Sequence, residues 1–87
     1  MIIKVSKPTE QDIARFKGYP TWSAEPSTFD WFYDEPEVCY LLEGEVRVTT
    51  EGGEAVEFGA GDMVSFPSGL ACTWEVRQPV RKHYTLG

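Results

Sequence analysis

From Thr21 to the C-terminus the apolar residues of this chain come in runs too short for helices, cut by glycine and proline. The repeat within those runs is two. Phe29, Trp31 and Tyr33 alternate with Asp30, Phe32 and Asp34, and Val46 and Val48 alternate with Glu45, Arg47 and Thr49. Alternation of this kind puts one set of side chains on each face of a strand. Val38 to Leu42 is instead continuously apolar, which predicts burial on both faces. Turn signals separate the runs at Asp34-Glu35-Pro36, Glu51-Gly52-Gly53-Glu54, Gly59-Ala60-Gly61-Asp62 and Pro67-Ser68-Gly69. Glycine supplies the positive φ that tight turns need, and proline stops a strand. Further strands are expected at Ile2–Val5, Ala55–Phe58, Met63–Phe66, Ala71–Arg77 and Val80–Leu86. About eight short strands at this spacing specify a barrel or a sandwich. One helical turn is expected before them, over Glu10–Lys17. Thr9 can cap it with Asp12 three residues on, Ile13 and Phe16 share a face, and Gly18 ends it.

At 87 residues the chain makes a single domain, residues 1–87. A domain this small buries a limited share of its surface, so a homodimer is the expected state. The formal charge of −6 excludes nucleic acid, whose phosphates need a basic face. An acidic surface serves solubility. No run of about 18 apolar residues could cross a membrane as a helix. Met1–Lys7 lacks the apolar core of a signal peptide, so the expected location is cytoplasmic. Cys39 and Cys72 do not form a CxxC pair and are expected as free thiols.

Two segments carry more information than the strands around them. Glu37 is followed seven residues later by Gly44 within E-V-C-Y-L-L-E-G, and Gly61, Pro67 and Gly69 frame G-D-M-V-S-F-P-S-G. This combination resembles the two motifs of the cupin superfamily, G(x)5HxH(x)3–4E(x)6G and G(x)5PxG(x)2H(x)3N. The chain is most similar to very short single-domain cupins grouped with ethanolamine-utilisation proteins and ureidoglycine aminohydrolases. That likeness rests on Trp31–Gly44, Gly61–Trp74 and Pro79–Tyr84. The resemblance implies an all-β cupin-type double-stranded β-helix, the RmlC-like jelly-roll barrel, here with a short N-terminal helical turn. It also implies a metal site at the barrel mouth, but the ligand positions have changed. The two histidine positions of the first motif fall on Trp31 and Tyr33, or on Asp30 and Phe32 with the longer gap. The histidine of the second falls on Cys72 and its asparagine on Val76. An aminohydrolase activity is therefore not carried over.

On this alignment Glu37 points into the barrel mouth, where a carboxylate is costly unless paired. A metal, a proton in transfer, or a nearby Arg, Lys or amide would each satisfy it. Cys72 shares strand parity with Trp74 and Val76 and faces inward, either as an apolar filler or as a thiol. Cys39 shares parity with Glu37. Trp31 and Tyr33 either fill a barrel without metal or form a stacking wall for a ligand. His83, alone of its type, shares a face with Arg81, while Lys82 and Tyr84 face the other way.

The leading expectation is a cupin of unassigned activity that binds a small molecule at its mouth without the usual histidine-based metal site. Trp31, Tyr33, Cys39 and Trp74 would contact the ligand. Any catalysis would rest on Glu37 as acid or base, Cys72 as thiol and Tyr33 as phenolic donor. No cofactor is expected on this reading. A second reading is a divalent-metal enzyme holding Zn, Fe, Ni or Mn through Glu37 and Cys72, with His83 or Tyr33. A third is a non-catalytic dimeric interaction module. Whether the chain is an enzyme stays open at this level.

Overall fold

The alternating tract folds around two unusually long strands. The structure is a computed structural model that describes residues 2–87. Met1, counted above in the N-terminal segment, lies outside the described residues. The elements are β1 (Lys4–Ser6), α1 (Glu10–Phe16), β2 (Thr21–Ala24), β3 (Ser27–Tyr33), β4 (Glu37–Thr50), β5 (Ala55–Gly59), β6 (Met63–Phe66) and β7 (Leu70–Leu86). All pairings are antiparallel, in the order β1-β6-β4-β7-β2, with β3 also on β7 and β5 also on β4.

The expected Val38–Leu42 and Val46–Thr49 strands are one strand of 14 residues, β4, and the two C-terminal strands are one of 17, β7. The two fusions turn eight expected strands into six, and β2 at Thr21–Ala24, which was not expected, makes seven. The ladder between β4 and β7 does not break at the glycine and proline but slips past them. Its register shifts between Leu41 and Val46, opposite Val76 to Lys82. Gly44 makes this bend feasible. Its φ is 109°, and a Cβ there would lie 2.7 Å from Val80 Cα and 2.8 Å from the Pro79 carbonyl oxygen. No side chain fits, which is the physical content of the motif glycine. Pro79, which cannot donate to a ladder, sits at the irregular step.

The bend divides each long strand into two halves, and the barrel follows from that. The first half of β4 runs between β6 and the second half of β7, which then pairs with β2. The second half of β4 runs between β5 and the first half of β7, which then pairs with β3. The two halves together enclose one core of Tyr33, Cys39, Leu41, Val46, Val48, Phe58, Val64, Phe66, Leu70, Cys72, Trp74, Val76 and Val80. This is the all-β jelly-roll architecture. Each buried Leu, Val or Phe side chain contributes about 1.5–3 kcal/mol by leaving water.

The helix forms as its cap predicts. Thr9 Oγ1 accepts from the Asp12 amide at 3.1 Å, and the Asp12 carboxylate accepts from the Thr9 amide at 3.0 Å. It ends at Phe16, one residue earlier than expected, with Lys17 as a right-handed C-cap. Gly18 does not adopt a positive φ. Phe16 is fully buried with its ring 6.2 Å from that of Tyr40. The helix thus covers the outer face of the first half of β4, which explains the unbroken apolar run there. Val38, Tyr40 and Leu42 are half-buried on that face, while Glu37, Cys39 and Leu41 are buried inside.

Candidate functional site

β2 and β3 are joined only by Glu25-Pro26 but pair with opposite halves of β7. They follow one another along the same edge of β7, β2 against Val80–His83 and β3 against Leu70–Val76, and both line a cavity of about 310 Å³. Its walls are aromatic: Trp22 from β2, Phe29, Trp31 and Tyr33 from β3, and Trp74 and Tyr84 from β7. Phe29 stacks nearly parallel on Trp74, and Trp22 meets both edge-on at about 6 Å. Trp31 stands at the rim, 53% exposed. Its ring meets Tyr33 edge-on at 6.5 Å.

Within these walls lies one ion pair. Lys82 Nζ donates to Glu37 Oε2 at 2.6 Å, with the two side chains only 7% and 8% exposed. Lys82 directly opposes Trp22 on β2, and its ammonium lies 5.2 Å from the Trp22 ring centre and 4.7 Å from that of Trp74. Two π faces and a carboxylate therefore hold one cation. In a site with little water this is a strong arrangement. Among the described residues the second Glu37 oxygen has no hydrogen-bond partner and is not a buried unsatisfied atom, so it is open to the cavity that Glu37 lines.

Tyr33 supplies the other polar group. Trp74 Nε1–H donates to its hydroxyl at 3.1 Å, and its ring stacks on Phe66 at 4.6 Å. The hydroxyl accepts from Trp74, and its own proton has no acceptor among the described residues. Burial, and next the negative charge of Glu37, push the phenol well above its ordinary ionisation range. Tyr33 is thus a fixed hydrogen-bond donor rather than a base.

The residues expected at the site divide. Glu37, Tyr33, Trp31 and Trp74 all line the cavity. Cys39 lies two positions along from Glu37 on the same face, fully buried and not part of the lining. Burial drives its thiol up to about 12, against the opposing pull of Lys82. Cys72 also does not line the cavity. It borders a separate shallow groove with Asp30, Trp31, Thr50 and Thr73, and its thiol donates weakly to the Trp31 carbonyl at 3.7 Å. Burial and the Asp30 charge raise it to about 11, so it is a neutral thiol at neutral pH. The two cysteines are free. His83 is turned to the outer face, its Nδ1 2.9 Å from the Tyr19 carbonyl.

Glu37, Cys72 and His83 therefore do not converge, and no group of three His, Cys, Asp or Glu side chains suited to a metal occurs among the described residues. The residues present do not fit the metal that the cupin motifs imply. Where a metal would neutralise Glu37, the Lys82 ammonium does so.

The EutQ-like cupin domain model matches residues 14–84. The chain is a EutQ-like cupin. A DUF861 family protein from Thermotoga maritima is 48% identical, with 99% of this chain and 100% of that one aligned and a TM-score of 0.95. A putative ethanolamine utilization protein Q from Salmonella typhimurium is 26% identical over 99% of this cupin and 69% of that chain, TM-score 0.70. The EutQ protein of Clostridium difficile shares the fold at 23% identity and a TM-score of 0.69, and this cupin spans about half (52%) of its length. No curated protein matches.

Sequence reasoning missed Lys82 and Trp22. Lys82 shares parity with Val80 and Tyr84, and that apolar company was the available signal for an inward lysine. Trp22 lay in a segment with little pattern of its own, and only its pairing with Lys82 reveals it.

Proposed function

We propose that this cupin binds a small, flat organic molecule at the barrel mouth, without a histidine-based metal site. The observation that carries this reading is the aromatic cavity with two unspent polar groups, the free oxygen of Glu37 and the hydroxyl proton of Tyr33. Pockets for small molecules have this character: apolar walls and a few fixed polar groups that set orientation. A ring would lie against Trp31 and Phe29, donate to Glu37 and accept from Tyr33. Lys82 holds Glu37 in place through the 2.6 Å hydrogen bond to Oε2. If the bound ligand reacts, Glu37 is the group placed to move a proton and Tyr33 the group placed to polarise an oxygen. The thiols take no part in this reading. Homodimerisation belongs to it as well, and sedimentation would show it.

The test is a thermal-shift screen of cyclic metabolites with wild type and Trp31→Ala. A ligand that binds only the folded state raises Tm. The reading expects a saturable shift in wild type that weakens at least about tenfold in affinity, roughly 1.4 kcal/mol, in the variant. A panel that shifts neither protein favours the interaction module instead.

A further inference from the structure

Lys82 is the buried lysine of this chain, whereas Lys4, Lys7 and Lys17 are exposed. A buried ion pair adds little net stability over well-packed apolar side chains, so stability alone does not account for it. Lys82 also lines the cavity, its ammonium held among Glu37, Trp22 and Trp74, which line it as well. We propose that Lys82 is a carbonyl-capturing amine, which condenses with an aldehyde held in the mouth to form a protonated imine paired with Glu37. This rests on the reading that the mouth binds small flat molecules, and it names their reactive class.

The surroundings suit both ends of the reaction. Glu37, hydrogen-bonded to the ammonium, accepts one proton and frees the nitrogen lone pair. The amine attacks the carbonyl carbon, the C–N bond forms, and the π electrons move to oxygen. The proton that the nitrogen then sheds goes to that oxygen, giving a carbinolamine. Glu37 returns its proton to the hydroxyl, water leaves, and the nitrogen lone pair closes the C=N bond. The sum is ammonium plus aldehyde giving iminium plus water, with no change of charge. The unchanged charge is the main physical point. The cage of Glu37, Trp22 and Trp74 that holds the ammonium is equally suited to the iminium, whose remaining N–H can keep the bond to Glu37 Oε2. Tyr33, with its hydroxyl proton unspent, is the donor available to polarise the carbonyl. The aromatic walls favour an aldehyde on an aryl or other flat apolar body.

The probe is benzaldehyde with sodium cyanoborohydride, followed by intact mass and peptide mapping. Benzyl alcohol, which cannot condense, serves as the binding control by Tm. The expected result is one benzyl group per chain on Lys82, arriving at least about tenfold faster than on Lys4, Lys7 or Lys17 because the reactants are held together. Excess benzyl alcohol should slow it, and Lys82→Arg, which keeps a cation for Glu37, should abolish it. The map on wild type locates the adduct even if that variant folds poorly. A Tm shift with benzyl alcohol but no preference for Lys82 overturns the proposal and leaves the binding reading standing. Neither a shift nor labelling of Lys82 overturns both for ring compounds.

Discussion

The two halves of β7 obey the same alternation and build opposite things. Its first half sends Cys72, Trp74 and Val76 inward, into a core shared with Val46, Val48 and Phe58. Its second half sends Val80, Lys82 and Tyr84 inward, and there the core gives way to a cavity with an ion pair. Parity therefore says which residues face in, but not whether the inside is sealed. What seals one half is β3 lying along it in full register. What leaves the other open is the shortness of β2, which pairs only with Val80–His83, so Tyr84 and Leu86 line the cavity with no β2 residue opposite them. Trp74, at the boundary, belongs to both.

The largest expected effect breaks the comparison at the open half. Lys82→Met leaves Glu37 buried without a counter-charge and should cost about 3–5 kcal/mol, measured by urea unfolding. Adding Glu37→Gln should recover most of that loss, because the penalty belongs to the orphaned charge. If the double variant is no better than the single one, the pair is not what holds this half together.

Gly44→Ala acts on the bend that separates the halves. The positive φ and the overlap with Val80 and Pro79 should together cost on the order of 3 kcal/mol. Wild-type stability in this variant would mean that β4 bends without the close approach.

Alkaline titration sharpens the comparison at the thiols. Ordinary values of 9.0 are raised to about 12 for Cys39 and about 11 for Cys72. Above pH 9 the unfolded chain gives up these protons while the folded one keeps them. Stability is therefore full below about pH 9 and falls as pH rises through the folded values. Unfolding midpoints measured from pH 8 upward should decline, and less steeply in Cys39→Ala. A flat profile would show that the thiols ionise as freely folded as unfolded.

The smallest effect is expected at Cys72→Ala, about 1 kcal/mol of lost packing with ligand affinity unchanged. Loss of binding on this change would move Cys72 back into the site.

Most of the fold was legible because its signals are local. The Thr9–Asp12 cap, the turns at Gly53 and Gly61, and the alternation in β3 each follow from neighbours in the chain. The fusion of four expected strands into β4 and β7 was not, because Gly44 and Pro79 read as breaks until the partner strand shows them as a slip. The site divided in the same way. Glu37, Trp31 and Tyr33, placed at the mouth by the cupin-motif resemblance, and Trp74, placed inward by strand parity, all line the cavity. Lys82 was hidden because its partner lies 45 residues away and no spacing rule joins them. Cys72 matched a ligand position in the motif, yet it borders a groove outside the mouth.

The Lys82 ammonium holds Glu37 where the cupin motifs imply a metal, and this replacement can be tested. Its most direct test is the melting temperature of chelator-treated protein with Zn, Fe, Ni or Mn added singly, for wild type and Glu37→Gln. No saturable rise in Tm is expected with any of the four. A stoichiometric, metal-dependent rise in wild type that disappears in Glu37→Gln would contradict it.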